Sequence, residues 1–86
     1  MPCISSFFGI IILIYWNDHN PPHFHAEYGD DEILICIKDL SIYSGYLPAR
    51  ALGLVMEWAS QHQEELLNDW ELACKKRTLN KIAPLK

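Results

Sequence analysis

The hydrophobic pattern of this chain changes period once, at Leu47. Before it, apolar residues form blocks or alternate, as in Ile10-Ile-Ile-Leu-Ile14 and in Ile33, Ile35 and Ile37. After it, one stripe recurs every three or four residues through Ala51, Leu54, Val55, Trp58, His62, Leu66, Trp70 and Ala73. A period near two builds strands, and a period near 3.6 builds an amphipathic helix. Strands followed by a helix specify an α+β fold: an antiparallel meander of three or four strands with one long C-terminal helix packed on one face.

All strands fall within residues 4–46. Residues 4–16 read as one long strand with two apolar faces, Ile10, Ile12, Ile14 and Trp16 on one and Phe7, Ile11, Leu13 and Tyr15 on the other. Such a strand is covered on both sides, so the second cover is the chain's own tail or another subunit of an oligomer. Pro21-Pro22 forces a turn over 17–22, because proline cannot donate to a ladder. Residues 23–28 and 31–38 form strands joined by a tight turn at Gly29-Asp30, and 41–46 adds a short one. The helix spans about 48–76, with Pro48 in its first turn and room for a break near Ser60. Residues 77–86 form a basic, extended tail in which Leu79, Ile82 and Leu85 are free to pack.

With 86 residues the chain has room for a single domain, 1–86, and one two-layer core. The apolar run at 10–14 stops at Asn17 and Asp18, far short of a membrane span, and no secretory signal is expected. Cys3, Cys36 and Cys74 are odd in number and widely spaced, which suggests reduced thiols in a cytoplasmic protein and no cysteine zinc site. Residues 1–74 hold all 11 acidic residues against two bases, Lys38 and Arg50, a balance of −9. The body therefore repels bare nucleic acid, and only the tail, with Lys75, Lys76, Arg77, Lys81 and Lys86, attracts it.

Three of the four histidines lie within seven residues, in Asp18-His-Asn-Pro-Pro-His-Phe-His-Ala-Glu-Tyr28. On a strand, His23, His25 and Glu27 share one face, and Phe24, Ala26 and Tyr28 share the other. The apolar side should meet the helix, which leaves the histidine side facing away from it. Three readings follow. His23, His25 and Glu27 offer nitrogen and oxygen ligands to a divalent metal, with Asp18 or His19 as further candidates. Alternatively, His23 and His25 act as acid and base on an RNA 2′-hydroxyl, with His19, Asp18 and Glu27 orienting them and Arg50 or the tail lysines supplying positive charge. The third reading is structural: Asn17, Asp18 and His19 cap the turn, and His23 and His25 hydrogen-bond across strands.

Further segments carry a likeness. Pro2-Cys-Ile-Ser-Ser-Phe-Phe-Gly-Ile10, Tyr15-Trp-Asn-Asp-His19, Pro21-Pro-His-Phe-His-Ala-Glu-Tyr-Gly29, Leu47-Pro48, Ala51-Leu52 and Glu57-Trp-Ala59 resemble a family of small bacterial proteins catalogued as domain of unknown function 4160. Asp-His-x-Pro-Pro-His-Phe-His is its signature, and the likeness spans nearly the whole chain. The chain departs from the common pattern at Ala49 and Gly53, where basic residues are frequent, which argues against a phosphate-binding helix start. The resemblance implies the toxin-like half of a type II toxin–antitoxin pair, with an antitoxin-like partner from a second small family, domain of unknown function 2442. The resemblance implies no activity of its own; if the chain acts chemically, the histidine turn makes RNA the expected target. The alternative is a non-catalytic protein-binding module, with or without a metal.

Overall fold

The computed structural model describes residues 3–16 and 18–86. Asn17, expected as a turn cap, lies outside them. Five antiparallel strands form one sheet in chain order: β1 (Cys3–Phe7), β2 (Ile10–Leu13), β3 (His23–Tyr28), β4 (Asp31–Cys36) and β5 (Ile42–Gly45). Two helices follow, α1 (Ala49–Gln61) and α2 (Gln63–Cys74).

Two expectations need correction. The long strand over 4–16 is a hairpin, with Phe8 and Gly9 both at positive φ (51° and 81°) in a two-residue turn. That turn needs left-handed backbone at both centres, a geometry usually signalled by Asn, Asp or Gly. A phenylalanine inside an apolar run hides it. The single long helix is also two helices. They part at His62 (φ −132°, ψ 23°), whose N–H bonds back to the Ala59 carbonyl. The break lies two residues beyond Ser60.

One face of the sheet carries the core. Ile10, Ile12 and Ile14 meet Phe24 and Ala26, then Ile33, Ile35 and Ile37, all essentially inaccessible to solvent. The β3–β4 register sets Phe24 opposite Ile35 and Ala26 opposite Ile33, so these side chains form continuous rows. Trp58 of α1 lies over the rows, its ring 5.4 Å from that of Phe7 and 6.1 Å from that of Phe24. Phe24 and Ala26 thus face the helix as the alternation required, while Tyr28 sits exposed at the end of its strand.

The tail closes the β1 edge. Ile82 donates its N–H to the Ile4 carbonyl at 2.8 Å, Trp58 donates its indole N–H to Ala83, and the Lys81 ammonium reaches the Cys3 carbonyl. Among the described residues no helix is long and apolar enough to cross a membrane.

Asp69 of α2 is an unexpected buried carboxylate. Its Oδ1 accepts the Asn80 N–H at 2.9 Å, while Oδ2 is buried without a partner among the described residues. Burial pushes its carboxyl above the usual range; the Asn80 N–H offsets part of this, and the charge of Glu65 adds to the rise. A carboxyl whose folded pKa is raised costs stability when ionised, and that cost vanishes below the unfolded pKa. Asp69→Asn keeps the accepting oxygen and removes the charge. It should therefore raise the melting temperature at pH 7, with the gain shrinking as pH falls through the raised folded pKa and gone below the unfolded carboxyl range. An unchanged or lower melting temperature at pH 7 would contradict this account.

Candidate functional site

Pro21-Pro22 ends the loop after β2 and delivers the chain into β3 at His23. Because the loop cannot pair as a strand, it folds over the start of β3 and brings the Asp18 carboxylate between the two strand imidazoles. Oδ2 of Asp18 lies 3.0 Å from Nε2 of His23 and 2.9 Å from Nε2 of His25. The His25 approach has the distance and direction of a hydrogen bond, which forms when that nitrogen carries a proton. The His23 approach is close but lies outside hydrogen-bonding geometry, which leaves a buried nitrogen without a partner among the described residues. Such an orphan costs about 1–3 kcal/mol.

The remaining ring nitrogens are also engaged. His23 donates from Nδ1 to the Pro21 carbonyl at 2.8 Å. His25 donates from Nδ1 to Oε2 of Glu32 at 3.0 Å. Both acceptors lack a proton to give, so each ring carries its proton on Nδ1 and each Nε2 points at Asp18.

The surroundings are aromatic. Tyr15 stands edge-on to His25 with ring centroids 4.6 Å apart, and His23 lies within 5.3 Å of Tyr43 and 5.2 Å of Trp70 from α2. His23 is only 2% exposed. The histidine side was expected to face away from the helix, yet Trp70 of α2 packs on His23 beside Tyr43, and the chain's own loop covers the rest. The tail lies elsewhere, along β1.

The Asp18 carboxyl responds to these neighbours. Burial alone would raise it, but when the rings are protonated the His25 hydrogen bond, the charges of the two imidazoles and the His19 N–H together hold it below the usual carboxylate range. The Tyr15 hydroxyl moves the other way, raised by burial and then by the negative charges of Glu27, Glu32 and Asp18.

Of the five residues singled out in the sequence, the fold brings together Asp18, His23 and His25. His19 is exposed and contributes its backbone N–H to Asp18 Oδ1 at 3.1 Å. Glu27 stands outside the trio, set opposite Ile11 and Glu32 across the sheet. Arg50 lines a separate groove with Phe8, Tyr28 and Leu54. Glu32, Tyr15, Tyr43 and Trp70 were not foreseen. Glu32 had a signal: the two-residue turn at Gly29-Asp30 sets it opposite Glu27 and hence diagonal to His25.

A family model described as Domain of unknown function (DUF4160) matches residues 9–71, most of the chain and all of the histidine segment. No curated protein and no solved structure matches.

Proposed function

The chain belongs to the DUF4160 family, and from that premise we propose that it is a protein-binding module, the toxin-like half of a bacterial toxin–antitoxin pair. It takes an extended, basic segment of its antitoxin-like partner on the open edge of its sheet. The observation that carries this reading is the asymmetry of the two edges. The tail covers β1, whereas β5 is the terminal strand and exposes all four of its residues.

Soluble proteins blunt such edges with lysine, proline or a cover, because unpaired N–H and C=O groups template another strand. Ile42-Tyr-Ser-Gly45 has no lysine or proline. Ile42 is 53% exposed and Tyr46, just beyond the strand, 64%. An added strand would find main-chain partners on β5 and apolar contacts at Ile42, Tyr43 and Tyr46. The body's balance of −9 favours a basic occupant.

Binding is favoured over RNA cleavage on geometric grounds. An acid–base pair must offer nitrogens to the substrate, and here His23 is buried while both His25 nitrogens face carboxylate oxygens of the chain's own Asp18 and Glu32. Arg50 lies in its own groove, away from the trio.

Expression of the chain alone should arrest growth, and co-expression with a DUF2442-type partner should relieve the arrest through a one-to-one complex. Ile42→Lys should weaken that complex at least tenfold, about 1.4 kcal/mol, without changing the thermal melt. Full-strength binding by Ile42→Lys would reject the β5 edge, and a chain that neither arrests growth nor pairs would reject the proposal as a whole. Self-association lost in Ile42→Lys would assign the edge to a second copy. Degraded RNA in arrested cells, absent with His25→Gln, would restore the ribonuclease reading.

A further inference from the structure

We propose that Asp18, His23 and His25 form a binding site for one divalent transition-metal ion, through Oδ2 of Asp18 and Nε2 of each histidine. This goes beyond the partner-binding reading and does not depend on it.

The first support is a count of protons. His23 Nδ1 gives its proton to a carbonyl and His25 Nδ1 gives its proton to a carboxylate. A neutral ring then has only a lone pair at Nε2. Two lone pairs and a carboxylate oxygen converge with no donor among them. Lone pairs do not gather without a positive charge to share, and one cation satisfies all three. The alternative is an extra proton on each ring, which places one of the resulting cations on His23 at 2% exposure.

The second support is distance. Each Nε2 lies within 3.0 Å of the carboxylate oxygen, and the three ligand atoms lie within 4.8 Å of one another. An ion bound at about 2.0–2.2 Å from each ligand needs neighbouring ligand atoms roughly 3 Å apart. The two nitrogen–oxygen separations already meet that, and the two Nε2 atoms, within 4.8 Å of each other, would close onto a bound ion.

The third support is the unpartnered nitrogen of His23, buried and close to Asp18. A protein that loses a hydrogen bond at this atom regains an interaction there if the lone pair is a ligand.

The outer contacts also match. Metal-binding histidines donate their other ring N–H to a carboxylate or a backbone carbonyl, which fixes tautomer and orientation. Glu32 does this for His25 and Pro21 for His23. Two imidazoles with a carboxylate suit zinc or ferrous iron rather than calcium or magnesium, which prefer oxygen, and leave further coordination positions for water or a ligand.

The test uses the full-length chain, stripped with chelator and titrated with Zn²⁺ or Co²⁺ alone. One ion per chain should bind, with a higher melting temperature and visible cobalt absorption typical of nitrogen and oxygen ligands. His23 is a core contact, so the informative variants are Asp18→Asn and His25→Gln, each of which should lower affinity about 100-fold. Glu32→Gln should lower it about tenfold, and His19→Gln and His62→Gln should not change it. Nitrogen NMR should show both Nε2 signals shifting on zinc loading while both Nδ1 protons persist. No uptake, uptake undiminished in His25→Gln and Asp18→Asn, or protons retained on both Nε2 atoms at saturating zinc would overturn the proposal. None of these outcomes depends on whether a partner binds β5.

Discussion

Gly45→Ala should detach β5 from the sheet. A Cβ at this position would lie 2.2 Å from the Glu32 carbonyl oxygen and 2.9 Å from the Ile33 Cα. Both are backbone atoms of β4, so neither can swing aside. Gly45 also sits at φ +89°, where an L side chain is strained even in open space. The Ile33–Gly45 pairing and the Tyr46 N–H bond to Glu32 must therefore open. We expect a loss of about 3 kcal/mol or more. For a domain of this size, that lowers the melting temperature by more than about 10 °C.

The consequences extend to both proposals. With β5 displaced, the edge offered to a partner strand is gone, and Tyr43 no longer stacks beside His23. Hydrogen exchange should show the β5 amides unprotected while β2 and β3 retain slow exchange. A wild-type melt for Gly45→Ala would mean that the close approach of β4 and β5 is wrong.

Trp58→Ala should bring the domain close to global unfolding. The indole is fully buried and touches four separate segments of the fold. Phe7 belongs to the first hairpin, Phe24 to β3, His62 to the helix break, and its N–H reaches Ala83 in the tail at 2.8 Å. Removing a buried aromatic of this size costs about 3–5 kcal/mol, against a total stability of roughly 5–15 kcal/mol for small proteins. Denaturant unfolding of Trp58→Ala should show a midpoint near zero denaturant.

Trp58→Phe separates packing from the hydrogen bond. It keeps most of the apolar volume and loses the N–H, and Ala83 is exposed enough to bond water instead. We expect about 1 kcal/mol for that substitution. If Trp58→Ala cost no more than Trp58→Phe, the tail contact rather than the aromatic cluster would be the main restraint.

Much of the scaffold is readable from spacing alone. Ile33, Ile35 and Ile37 line one face as expected, and Val55, Trp58, Leu66, Trp70 and Ala73 of the helical stripe are buried. The Gly29-Asp30 turn is where it was placed, because it uses residues that prefer its geometry. Reading fails where a residue acts against its preference. Phe8 adopts a left-handed turn because the apolar strands on both sides gain more by pairing than the turn loses. His62 leaves the helix within a run of polar residues, Ser60-Gln-His-Gln63, that carries no proline or glycine to mark the break.

The candidate site divides along the same line. That His23 and His25 share one face of a strand was determined by the sequence itself, since successive side chains alternate and a spacing of two cannot do otherwise. That Asp18 closes onto them, that Glu32 holds the second ring and that Trp70 seals the first were decided only by the tertiary structure. Each depends on the path of a loop, the register of a neighbouring strand or the direction of a helix after its break. Those are set by packing between segments distant along the chain, which local periodicity does not encode.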